Sequence, residues 1–232
     1  WGADFHSQPN TTRHVRAAQK RGAKLVTIDV RRTEVAAKSD DVFLLKPGSD
    51  AALALAMMHV IIAEDLADPD FIAQHTIGFT ELRDHVADLT PEWAATETGI
   101  PADRITALAH DYANSQPAAI IMGGSSIHKG ANAWQSARAI SCLPALVGGY
   151  GVAGSGLGGR HGARAHGAGF QSIAADERRK PGTYVPSQMS EITAALDDGR
   201  VKALLLFGSN FISSFTDTSR VAGALDKLDL VV

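Results

Sequence analysis

Residues 24–50 read KLVTIDVRRTEVAAKSDDVFLLKPGSD, and the fold class turns on this stretch. An apolar run (Leu25, Val26, Ile28) ends in Asp29, with Arg31 and Arg32 close behind. A second run, Val42-Phe43-Leu44-Leu45, stops at Pro47-Gly48-Ser49-Asp50. Short apolar runs bounded by turn residues read as buried strands. Asp50 then opens AALALAMMHVIIAEDL, a helix with Leu53, Met57, Val60 and Ile61 on one stripe. Each strand therefore delivers an acid near its carboxyl end.

Outward from this stretch, strands and helices alternate. Helices are expected over residues 10–21, from Pro69, over 79–89, after the Thr90-Pro91 cap, over 101–115, 134–143, 188–198 and 217–225. Strands are expected at 118–122 (AAIIM), at 202–207 (KALLLF, read as buried) and in the last five residues. Residues 148–169 hold ten glycines and read as irregular loop. The alternation predicts an α/β fold with Rossmann-like parallel sheets covered by helices on both faces, in two partial domains, 1–160 and 161–232.

Composition excludes several classes. A net charge of −3 gives no basic field for nucleic acid. Charged residues and histidines interrupt every apolar run, so no membrane span is expected. Cys142 is the only cysteine, which rules out an internal disulfide and any CxxC zinc or iron–sulfur cradle made by this chain alone. No targeting segment is legible, so the compartment is left open. The run LDLVV at residues 228–232 resembles an interrupted strand, and a segment of a longer polypeptide is expected.

In an open parallel sheet, ligands sit beyond the carboxyl ends of the strands. Those ends carry Asp29, Asp50, Gly123-Gly124 and Gly208-Ser209-Asn210. A carboxylate there can accept two hydrogen bonds from a ribose diol or a guanine edge, and Arg31 and Arg32 can pair with phosphate. The plain alternative makes Asp50 a helix cap and the arginines surface charges. Two GxGxxG matches, at 149–154 and 154–159, follow a helix instead of a strand and are rejected as a dinucleotide fingerprint. His161 and His166 lack the spacing of a metal pair on one helical face, so no metal site is assigned. Arg160 and Arg164 suit an anion or pterin better. His128, after Gly-Gly-Ser-Ser, is the weak catalytic candidate. Ser125 and Ser126 form no GxSxG elbow. Asp65, Asp68 and Asp70 read as a solvated helix end.

The run RGAKLVTIDVRRTEVAAKSDDVFLLKPGSDAALALAMMHVIIAEDL resembles the molybdopterin oxidoreductases of the DMSO reductase and formate dehydrogenase type. FIAQHTIGFTELRDHV, TPEWAATETGIPADRITALAHDYA, SARAISCLPALVGGYGVAGSG, KALLLFGSN and LDKLDLVV follow in family order. The resemblance implies a two-electron oxidoreductase of a small substrate, its molybdenum or tungsten held by two molybdopterin guanine dinucleotides. It implies that residues 1–160 hold one dinucleotide through Gly2, Ala3, Asp4, Asp29, Arg31, Thr33, Gly48, Ser49 and Asp50, with Asp50 reading guanine. Residues 161–232 would belong to a second such domain, with Gly208, Ser209 and Asn210 on the other dinucleotide and Arg160 near the pterins. The side chain ligating the metal and any [4Fe-4S] cluster would lie outside this segment, which alone would be inactive. The implied partners are the rest of its own polypeptide and electron-transfer subunits. The chain departs from the family where Phe5, Val30 and Phe211 stand in place of the usual prolines, and around His128, which suggests a divergent branch. Two other readings are a relative that has lost the cofactor and serves a larger redox complex, and an NAD-dependent dehydrogenase resting on the misplaced glycines.

Overall fold

Helix α2 (Asp50–Ala63) is apolar on every side, and the chain around it is arranged to bury it. Ala52, Leu53, Ala54, Ala56, Met57, Met58, Val60 and Ile61 are all buried. The single stripe expected from the sequence is too narrow, because a helix apolar all round is a core helix. It packs against α4 (Phe79–Val86), α5 (Pro91–Thr98), α6 (Ala102–Asn114) and α7 (Ala133–Leu146). Small residues at 52, 54 and 56 let these neighbours approach closely.

The computed structural model describes residues 1–4, 9–123, 133–158, 176–178, 180–186, 189–215 and 217–232. The chain forms two units, Trp1–Gly162 and Ala163–Val232. In the first, α1 (Pro9–Lys20) precedes β1 (Val26–Asp29), which pairs in parallel with β2 (Asp41–Leu44), Val26 opposite Asp41 and Asp29 opposite Leu44. β3 (Ala119–Ile121) pairs in parallel with β4 (Gly156–Gly158). Residues 1–2 lie between these pairs. The Trp1 backbone nitrogen donates to Ile121 O at 2.8 Å, Gly123 N donates to Trp1 O at 2.8 Å, and Gly2 N donates to Ile28 O at 2.8 Å. The hydrogen-bonded order is thus β2, β1, residues 1–2, β3, β4.

β4 corrects the reading of residues 148–169 as irregular loop. Its pairing uses only backbone groups, so it needs no apolar pattern. A side chain at Gly156 would meet Gly149 O at 3.2 Å, which favours glycine there. The first GxGxxG match precedes β4 and follows α7, the reverse of the strand–loop–helix order that a dinucleotide fingerprint needs. Asp68 is likewise more than a solvated helix end. It caps α3 (Pro69–His75) by accepting from Phe71 N at 2.8 Å, and its own N–H donates to Leu146 O at 2.7 Å. Thr90 caps α5 as expected, accepting from Trp93 N.

The second unit contains α8 (Met189–Asp197), β5 (Ala203–Leu204), α9 (Phe211–Ser214), α10 (Thr218–Leu225) and β6 (Leu230–Val231). β5 and β6 pair in parallel, Ala203 opposite Leu230. Its core consists of Leu196, Phe211, Val221 and Ala224. KALLLF is not buried as expected: Leu205 is 57% exposed and Phe207 87%. Successive residues of extended chain face opposite ways. Leu204 and Leu206 pack on the core, while Leu205 and Phe207 face away from it.

Candidate cofactor-binding site

The first unit's sheet brings Asp29, residues 2–4, Gly123 and the 45–50 turn to the carboxyl edge of its strands. Asp29 ends β1 and is buried, its Oδ1 accepting from Val30 N at 2.7 Å and Arg31 N at 3.3 Å. Two backbone donors on one carboxylate oxygen fix the side chain and leave Oδ2 for a further donor. Val30, Arg31 and Arg32 are exposed just beyond. Thr33 is buried at the start of a 3₁₀ turn (Ala36–Lys38), its hydroxyl accepting from Ala36 N at 3.4 Å.

Asp50 is the first residue of α2 and does not cap it, while the exposure of Arg31 and Arg32 agrees with their reading as surface charges. The residue at the cap position is Ser49, whose hydroxyl instead donates to Lys46 O at 2.7 Å. Asp50 Oδ1 accepts from the Trp1 indole N–H at 2.7 Å, across 49 residues of sequence. Trp1 is buried.

Asp4 Oδ1 is buried with no hydrogen-bond partner among the described residues. An unpartnered buried acceptor costs about 1–3 kcal/mol, so it suits a ligand that brings donors. A Cβ at Gly48 would meet nothing within 4 Å, so the turn before α2 is open to a ligand. Acceptor-rich, with small residues between the acids, this edge fits the hydroxyl and amino donors of a nucleoside.

In the second unit Gly208 and Ser209 are exposed after β5. Asn210 spends its side-chain oxygen on α9, accepting from Ser213 N at 3.1 Å. His128 and Arg160 lie outside the described residues. The sequence reading missed Trp1. The signal available was an indole N–H beside Gly-Ala-Asp, a donor that needs an acceptor once buried.

The family model described as molybdopterin oxidoreductase matches residues 1–232. The chain belongs to the molybdopterin oxidoreductase family. Similar proteins include formate dehydrogenase H of Escherichia coli, 32% identical over 99% of this chain and 35% of that protein. The probable oxidoreductase YoaE of Bacillus subtilis is 31% identical over 92% of this chain and 31% of its own length. Acetylene hydratase from Pelobacter acetylenicus has a similar structure, with a TM-score of 0.74 and 26% identity over 99% of this chain and 37% of that one. The chain spans about a third of the length of these relatives. Membership implies a molybdopterin cofactor carrying molybdenum or tungsten, and supports the mixed α/β fold with short parallel sheets. No helix among the described residues is long and apolar enough to cross a membrane.

Proposed function

We propose that this chain is the part of a molybdopterin oxidoreductase that holds the guanosine ends of two molybdopterin guanine dinucleotides. Residues 1–160 hold one and residues 161–232 contribute to holding the other. The observation that carries this reading is the convergence of Asp4, Asp29 and Asp50 on one sheet edge, with Asp4 Oδ1 lacking a partner among the described residues. In this reading Asp50 accepts from the guanine edge, and Asp29 accepts from ribose hydroxyls with Arg31 beside it for phosphate. Gly2, Ala3, Gly48 and Ser49 give close backbone approach, and Thr33 holds the turn that follows β1. Gly208, Ser209 and Asn210 serve the second dinucleotide, Arg160 serves the pterins, and His128 remains a weak catalytic candidate.

When bound, the cofactor's metal supplies two-electron redox chemistry at a small substrate such as formate, nitrate or an S-oxide. The chain's own part is to bind and orient. The metal's side-chain ligand and any [4Fe-4S] cluster lie outside these residues, so the 232 residues alone are expected to be inactive. Electron-transfer subunits are the proposed partners. The experiment is metal analysis and acid release of guanine nucleotide from the purified holoprotein and its Asp50→Asn variant. Guanine nucleotide in the wild type and depletion in the variant, with Asp65→Asn as an unaffected control, support the reading. Equal content in all three, or none in any, overturns it and favours a cofactor-free relative within a larger redox complex.

A further inference from the structure

We propose that Trp1 is a positioning residue that presets the Asp50 carboxylate for its ligand. This inference rests on the reading of Asp50 as a nucleobase contact. Three observations carry it. First, Trp1 is 8% exposed, so its indole N–H needs a protein acceptor, and the Asp50 carboxylate is that acceptor at 2.7 Å. Second, the Trp1 backbone is tied on both sides, to Ile121 and Gly123 through its own groups and to Ile28 through the next residue. The indole is thus anchored to the sheet. Third, Ser49 and not Asp50 stands at the cap position of α2, so the indole bond does not compete with a cap.

The physical consequence is preorganisation. An unrestrained half-buried aspartate samples several rotamers, and a ligand must select one of them. Here one carboxylate oxygen is fixed by a donor that belongs to the sheet, at the amino end of a fourteen-residue helix whose dipole favours negative charge. The other oxygen, and the remaining lone pair of the first, stay open to ligand N–H groups. The arrangement presents acceptors only. It therefore suits a base with adjacent N–H donors, as on the guanine N1–N2 edge, and disfavours adenine, whose N1 is an acceptor. Ordering is completed before binding, and the ligand loses less free energy to it.

The test uses the holoprotein at its complete length and follows guanine nucleotide released during incubation, as GMP per protein. Trp1→Phe keeps much of the apolar bulk and removes the N–H. Replacement of Trp1 by 3-benzothienylalanine keeps the bicyclic shape and removes the same donor, which separates hydrogen bonding from packing. Both are expected to lose guanine nucleotide about tenfold faster than wild type, the size expected of one charge-assisted hydrogen bond. Asp50→Asn combined with either substitution is expected to lose it no faster than Asp50→Asn alone. If the benzothienyl protein matches wild type while Asp50→Asn loses nucleotide, the positioning role is wrong and the Asp50 reading stands. Additive effects would also overturn it, since Trp1 would then act through packing. If Asp50→Asn matches wild type as well, the underlying reading is what fails.

Discussion

Among the described residues, the two units bury very different amounts of apolar surface. In the first, α2 is buried along most of its surface, and the core runs from Ile28 and Phe43 through Leu53, Met58 and Ile61 to Ile140 and Leu143. In the second, the buried cluster among the described residues is Leu196, Phe211, Val221 and Ala224, and β5 and β6 leave Leu205, Phe207, Leu230 and Val231 exposed. Apolar burial contributes roughly 25 cal/mol per Å², so the first unit has the larger reserve against local opening. Asp29 and Asp50 are each held by hydrogen bonds within the well-packed unit, whereas Gly208 and Ser209 are exposed in the chain beyond β5.

The comparison is open to attack at several points. The largest effect is expected from Leu53→Ala, which empties a fully buried position and should cost about 2–5 kcal/mol in denaturant unfolding. A loss below 1 kcal/mol would mean that the enclosure of α2 is looser than its geometry. Leu196→Ala should cost somewhat less, about 2–3 kcal/mol. Its mark should be faster amide exchange in α8 and α10 with α2 unchanged. Equal acceleration in α2 would show that the units do not open separately.

A smaller contrast compares two glycines with similar backbone. Gly148 has φ +66° and Gly208 φ +60°, so alanine strains both. At Gly148 the new Cβ would also collide with the Asp68 carboxylate, while at Gly208 it would meet nothing within 4 Å. Gly148→Ala should therefore destabilise more than Gly208→Ala, by about 1–2 kcal/mol in thermal or chemical unfolding. Reversal of that order would break the packing contrast between the units.

The smallest effect is electrostatic. The hydrogen bond from Arg220, helped by Lys227, holds the Asp197 carboxyl below the usual carboxylate range. A lowered acid contributes stability above its unfolded value and loses it as pH falls through the folded one. The tie between α8 and α10 should thus weaken below about pH 4. Carboxyl resonances followed by pH titration should move back toward the ordinary value in Arg220→Ala. No movement would remove this tie from the account of the second unit.

Much of this was legible in the residues. Asp29 and Asp50 stand out because each closes an apolar run, and the Thr90-Pro91 cap and the β1–α2 order followed from local chemistry. Local chemistry failed where partners are distant. β4 has no side-chain pattern, since Gly-Leu-Gly pairs with residues 119–121 through backbone alone. The broad burial of α2 depended on four other helices. KALLLF looked buried because composition records hydrophobicity but not which face finds a cover.

By itself, the sequence determined where the longer helices lie and which strand ends carry acids, because caps, turns and apolar periodicity act over a few residues. Only the tertiary structure decided that residues 1–2 lie between β1 and β3, and that a tryptophan 49 positions away holds Asp50. Those decisions rest on hydrogen bonds between groups far apart in the chain, whose proximity exists only once the core has closed around α2.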